Sequence, residues 1–189
     1  MKGNDMSIQR KTYPVEVAGL QRDLPLFEVA PGIRIAVLNI LGDTPLVQAC
    51  AQALHEKLDG SGYDVLVTAE AKSIPLVHAL SVLTQKPYVV LRKAYKPYMG
   101  AAVSAETHSI TTGQAQVLYL DEKDQNLIAG KQVVLLDDVI STGSTLEGMH
   151  QVMDKAGAVV VSEAGIFTEG DQERWKHIVS LGHLPIFTD

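Results

Sequence analysis

Two acids at the end of an apolar run, followed by a hydroxyl-rich turn, are the side chains best suited to chemistry in this chain of 189 residues. The run is Val133-Val134-Leu135-Leu136, the acids are Asp137 and Asp138, and after Val139-Ile140 comes Ser141-Thr142-Gly143-Ser144-Thr145. An apolar run that short reads as a strand buried on both faces. The acids then fall at its carboxyl end, where open α/β sheets bind ligands. Backbone amides of the turn can point inward as an anion nest, with Gly143 tolerating the required backbone and the Thr142, Ser144 and Thr145 hydroxyls adding donors. Adjacent carboxylates accept hydrogen bonds from vicinal sugar hydroxyls and help hold a hard divalent cation. The combined preference is for a phosphorylated sugar with Mg2+. For the Asp pair taken alone, an acidic strand end before an ordinary helix N-cap is the alternative.

Two further segments carry charge at strand ends. Val67-Thr68-Ala69-Glu70-Ala71-Lys72-Ser73-Ile74-Pro75 runs from an apolar strand into a helix, so its amides, with Lys72 and Ser73, can cradle a second anion at the helix start. A simple capped helix is the other reading of that segment. Arg92-Lys93-Ala94-Tyr95-Lys96-Pro97-Tyr98-Met99-Gly100 follows another strand and leads into a polar stretch, 104–113. A connection of about twenty residues without periodicity is long for a compact domain and reads as a lid, with an exposed basic hairpin as the alternative. Arg92, Lys93 and Lys96 at its base are placed to neutralise an anionic leaving group while closure excludes water.

The elements that must position these loops alternate along the chain. Residues 13–17, 24–29 and 33–38 read as short strands separated by Pro and Gly turns. Gly42-Asp43-Thr44-Pro45 starts a helix whose apolar positions run from Leu46 to Leu58 at helical spacing. Strands are then expected at 63–69, 87–91, 114–120, 131–136 and 158–167, and helices at 75–84, 145–156 and 172–181, with a last strand at 185–187. Such alternation favours an α/β fold with a central, mainly parallel sheet flanked by helices. Three parts are expected: residues 1–42 as an arm and separate β lobe, 43–169 as the core, and 170–189 as a C-terminal helix and an edge strand returning to the lobe.

Composition narrows the function classes. Sixteen basic against twenty-two acidic residues give a net charge of −6, which argues against a broad footprint for nucleic acid or anionic membrane. Cys50 is the only cysteine, so no intrachain disulfide forms and zinc-ligand spacing is missing; it reads as helix packing. No apolar run has the length of a transmembrane helix and the first eleven residues are polar, which leads to an expectation of a cytoplasmic protein. The sequence shows no internal repeat, no GxGxxG fingerprint and no Walker A sequence.

The thirteen residues 133–145 resemble, nearly residue for residue, the ribose-phosphate-binding motif of the type I phosphoribosyltransferases. Glu70-Ala71-Lys72-Ser73 resembles the pyrophosphate-binding loop of the adenine branch, where Glu-Ser-Arg-Gly is common, with lysine replacing arginine and serine replacing glycine. The Arg92-Lys93 pair after its strand is similar to the adenine and xanthine members, whose flexible loop occupies this place. In Ser109-Ile110-Thr111-Thr112-Gly113, Thr111 stands where adenine enzymes commonly have a glutamate, and Glu106 or His108 are the nearby groups able to approach a base.

The resemblance covers residues from about 43 to 169. It implies the type I phosphoribosyltransferase fold, with a small β-rich hood built by the chain ends, and displacement of pyrophosphate from 5-phosphoribosyl 1-pyrophosphate (PRPP) by a purine. Protein catalysis is then mainly positioning and electrostatics. Asp137 and Asp138 would hold the ribose hydroxyls and the metal, and Ser141, Thr142, Gly143, Ser144 and Thr145 the 5-phosphate. Glu70, Ala71, Lys72, Ser73, Arg92, Lys93 and Lys96 would take the pyrophosphate with Mg2+. In the hood, Phe27 and Phe167 offer flat faces for stacking on the base. Adenine is the first acceptor implied, ahead of xanthine, hypoxanthine or guanine, and a homodimer is implied. A PRPP-sensing regulator that binds without transfer is the alternative from another class.

Overall fold

A computed structural model describes residues 10–108 and 115–188. Thr111 and the first nine residues of the polar N-terminal stretch lie outside the described residues, as does the side chain of His108.

The central sheet has five parallel strands in the order β10-β9-β8-β4-β5: β4 (Val65–Ala69), β5 (Tyr88–Leu91), β8 (Gln132–Ile140), β9 (Val159–Glu169) and β10 (Val179–Leu184). Its middle strands β4 and β8 carry apolar runs, 65–67 and 133–136, because both faces are covered there. Along β8, Val134 and Leu136 join the core shared with helices α1 (Thr44–Lys57) and α2 (Ile74–Thr84). Val133 and Leu135 join the opposite core, shared with α3 (Glu122–Ile128), α4 (Ser144–Ala156) and the antiparallel hairpin of β6 (Val103–His108) and β7 (Ala115–Leu120). Each such side chain, fully removed from water, stabilises the fold by about 1.5–3 kcal/mol.

A second, antiparallel sheet has the order β1-β2-β3-β11, from β1 (Thr12–Val17), β2 (Leu20–Ala30), β3 (Ile33–Ala36) and β11 (Phe187–Thr188). Its Val17, Leu24 and Ala36 are buried in the α1/α2 core, so this hood and the central sheet share hydrophobic contacts. Arg22 of β2 makes a bidentate pair with Asp43, at 2.6 and 2.9 Å, while Asp43 also accepts the Leu46 N–H as the N-cap of α1. One carboxylate thereby caps a helix and ties the hood to it.

Three sequence expectations change. Residues 172–181 do not form a helix: 171–178 make a chain of turns, and Val179 onward becomes β10, parallel to β9. The β-branched pair Ile178-Val179 suits a strand, and the outer edge of β9 offers ladder partners that a helix would leave unmet. Second, the connection after β5 is not structureless. Met99 is fully buried, and Glu122 and Gln125 of α3 bond the backbone of Ala101 at 2.6 and 2.7 Å. Beyond it β6 pairs with β7, so the described part of the expected lid is anchored. Third, α3 was not anticipated; its seven residues are too few to show helical periodicity, although Asp121 caps it by accepting the Lys123 N–H.

Candidate active site

Because β4 is the parallel neighbour of β8, the loop after β4 stands beside Asp137 and Asp138. Ser73, 1% exposed, joins the two. Its Oγ–H donates to Asp137 Oδ1 at 2.7 Å, and its oxygen accepts the Asp138 N–H at 3.0 Å. The same N–H lies 2.9 Å from Asp137 Oδ1. Asp138 is 5% exposed, and its Oδ2 lies 2.9 Å from the Lys72 ammonium, which also reaches the Leu38 carbonyl at 3.4 Å. Burial and the adjacent Asp138 charge raise the Asp137 carboxyl to about 7, against the opposing hydrogen bond from Ser73.

Glu70 is engaged as well. It accepts the Arg92 Nε–H and the Lys93 backbone N–H, each at 2.6 Å, so it clamps the end of β5. The Glu70–Ala71 peptide is cis. Lys93, Lys72, Ser73, Asp137 and Asp138 line a cavity of 260 Å³, together with Glu70 and Ala71. Arg92 stands behind Glu70, and Lys96, exposed at the start of a 3-10 turn at Pro97–Met99, is not among the lining residues.

A smaller cavity of 30 Å³ adjoins the first and shares Asp137, Val139 and Thr145 with it. It is lined by Ser141, Thr142 and Gly143 of the turn into α4. Gly143 is the N-cap with φ of +82°, a conformation that favours glycine. The Thr142 and Ser144 hydroxyls are 3.1 Å apart. Amides at the start of this helix and the Ser141, Thr142 and Thr145 hydroxyls form an anion cradle one step from the two acids, whereas Ser144 lines a separate cavity of 390 Å³.

Neither of the two aromatic residues expected to meet a base lines the two cavities beside the acids. Phe167 is 2% exposed and packed in the core, its ring so close to Gly182 that a Cβ there would lie 2.7 Å away. Phe27 is half-exposed on β2, but the Arg10 guanidinium covers its ring at 3.8 Å and it lines neither cavity. Glu106 is exposed on β6. An apolar groove of 530 Å³ between α1 and α2 lies apart from all these groups.

The sequence reading also missed Arg174 and Trp175, which the turns at 171–178 bring against the phosphate-type cradle. Arg174 Nη2–H donates to the Thr142 carbonyl at 2.8 Å, and Trp175 is buried beside Gly143. The assumption of a helix hid them; the only signal was a tryptophan in a polar stretch.

Two carboxylates supply hard oxygen ligands, and the buried Asp138 Oδ2 has a cation as its close partner, so the residues fit Mg2+ shared with a phosphorylated sugar. No group of three or more His, Cys, Asp or Glu among the described residues forms a metal cage of its own. No helix among them is long and apolar enough to cross a membrane.

The phosphoribosyl transferase domain family matches residues 37–179. A hypoxanthine/guanine phosphoribosyltransferase of Methanocella paludicola is 34% identical over 120 residues, covering 64% of this chain and 58% of that protein. One from Methanotorris igneus is 33% identical over 129 residues, covering 68% and 67%. Among solved structures, the adenine phosphoribosyltransferase of Thermoanaerobacter pseudethanolicus superposes with a TM-score of 0.64 at 18% identity, covering 92% of this chain and 95% of that one. That of Rhodothermus marinus gives 0.64 at 21%, covering 92% and 94%. At these identities the structural likeness shows the fold alone.

Proposed function

The chain belongs to the phosphoribosyltransferase family, of the type I fold, and from this we propose that it transfers the 5-phosphoribosyl group of PRPP to a purine base and releases pyrophosphate. The observation that carries the reading is a buried acid pair standing between two adjoining cavities, one lined by the hydroxyl-rich helix start and one by Lys72, Ser73 and Lys93. That is the arrangement a sugar with phosphate at one end and pyrophosphate at the other requires.

In this reading the turn at 141–145 grips the 5-phosphate, and Asp137 and Asp138 hold the ribose hydroxyls and face the positive charge that develops on the sugar. Lys72 and Lys93 receive the pyrophosphate. Mg2+, when bound, neutralises charge on the departing group. Little covalent work is left to the protein, so rate comes from holding the reactants and from electrostatics in a water-poor cleft. For the acceptor we favour a 6-oxopurine, hypoxanthine or guanine, over adenine. The support is that the sequence relatives at 33–34% identity carry that name, whereas the adenine enzymes match at 18–21%. A homodimer and a cytoplasmic location belong to the same proposal and rest on the family likeness.

A second reading has one observation in its favour: Lys72 already pairs with Asp138, as in a pocket suited to holding PRPP without turning it over. Incubation with PRPP, Mg2+ and a panel of nucleobases separates the two. Pyrophosphate release with hypoxanthine or guanine is the expected result. Tight PRPP binding with no release for any base would replace the transferase with a PRPP sensor.

A further inference from the structure

We propose that Arg174 is a positioning residue for the 5-phosphate, acting through the Thr142–Gly143 peptide. The inference rests on the transferase reading for the identity of the anion, and on the local geometry for everything else.

Arg174 meets the turn from the side away from the acids. The Thr142 carbonyl accepts from Arg174 Nη2 at 2.8 Å, in a 390 Å³ cavity lined by Arg174, Trp175, His150, His177 and Glu163. Asp137 lines the 30 Å³ cavity and not this one; Thr142 and Gly143 line both. The Thr142–Gly143 peptide is therefore the wall between them. A trans peptide is planar, with its carbonyl and its N–H on opposite sides. Holding the Thr142 carbonyl toward Arg174 turns the Gly143 N–H toward the inner cavity, where an anion needs a donor.

The hold is required because Gly143 follows. A glycine lets the preceding peptide flip at low cost, and a flip would aim the carbonyl oxygen at the phosphate instead. The surroundings of Arg174 are themselves fixed. Its guanidinium lies over the Trp175 ring at 4.4 Å, and the indole N–H donates to the Glu169 carbonyl at 3.0 Å. A Cβ on Gly143 would lie 2.7 Å from Trp175 Cη2, so the indole seats the turn directly. His177, in the same run of turns, pairs with Glu163 at 3.2 Å, and Glu163 also bonds His150 of α4. The run at 171–178 is thus a brace between β9, α4 and the cradle.

The test measures ribose 5-phosphate binding by calorimetry, and kcat and KM for PRPP, in the wild type, Arg174→Ala and Arg174→Lys. Arg174→Ala is expected to weaken ribose 5-phosphate about tenfold and to raise KM for PRPP similarly, with kcat changed less than about threefold. Arg174→Lys, which still offers one donor to the carbonyl, restores most of the affinity. Three results each overturn the inference: affinity in Arg174→Ala within about twofold of wild type, no rescue by lysine, or a fall in kcat as large as the rise in KM. Failure of the wild type to bind ribose 5-phosphate does so as well. A wild type that binds it but forms no nucleotide with any purine refutes the transferase reading only, and the binding arm still decides the role of Arg174.

Discussion

The two anion-facing loops, 70–73 and 141–145, sit side by side and are built in opposite ways. In the turn before α4, the hydroxyls of Thr142 and Ser144 contact each other, Trp175 packs against Gly143, and Arg174 holds the Thr142 carbonyl. Ser141, Thr142, Gly143 and Thr145 are left lining the small inner cavity. In the loop after β4 the groups that would meet pyrophosphate are already spoken for: Lys72 by Asp138, Glu70 by Arg92 and the Lys93 amide, Ser73 by both acids. One loop is set to receive an anion, and the other must exchange internal partners for a ligand. Pre-set donors favour binding, whereas an exchange makes engagement of the second loop conditional on what arrives.

The most severe way to break this contrast is to remove the charge both loops share. Asp137→Asn combined with Asp138→Asn should lower turnover by more than about 1,000-fold while far-UV circular dichroism stays unchanged. Lys72, left unpaired, is half-exposed and stays hydrated. Near-normal activity would remove the acids from the mechanism. A sharper cut separates the loops. Ser73→Ala deletes the hydroxyl that joins them and should lower kcat about tenfold, with ribose 5-phosphate affinity within about twofold of wild type because the turn at 141–145 is untouched. Equal losses in both would show that the loops act as one unit.

The smallest effect concerns the brace behind the receptive loop. The hydrogen bond from Glu163 raises the His150 pKa above its ordinary 6.5, and the same bond lowers Glu163 below its ordinary 4.5. A raised histidine pKa stabilises the folded state fully below 6.5, and that contribution is lost as pH rises through the raised folded value. The lowered carboxylate contributes above 4.5 and is lost as pH falls through its folded value. The midpoint difference between wild type and His150→Gln should therefore be greatest between these ordinary values and shrink on going alkaline. With His150 partly exposed, solvent screening limits it to about 1–3 °C in thermal unfolding. A difference that does not change with pH would show that the pair contributes packing rather than charge.

What the sequence disclosed follows from how local each signal is. The strand carrying Asp137 was readable because burial on both faces leaves a run with no polar residue, and α1 because Asp43 and Pro45 mark its start. Strand β10 was not readable. Its residues Val179 to Leu184 have no strong pattern, and only the open edge of β9 makes them a strand. The expectation of a helix there also concealed Arg174 and Trp175, whose importance depends on a turn that is 32 residues away from Thr142 in the chain. Ser73 looked like a departure from a loop pattern; its contacts with Asp137 and Asp138 span 64 and 65 residues, a distance no local motif reports. Phe27 and Phe167 show the reverse error, since aromatic character was visible but burial and a covering arginine were not.

The pairing of β11 with β3 sets an order on synthesis. Strand β3 is made early and pairs with β2 on one side, yet its partner on the other, Phe187–Thr188, follows every other described strand. A nascent chain that has emerged through residue 169 already holds β4, β5, β8 and β9 and both anion-facing loops, while β3 still presents an open edge. Until β11 is made, that edge of β3 stays unpaired and open to neighbouring chains, and Arg174 and Trp175, which seat the turn at 141–145, also arrive after residue 169.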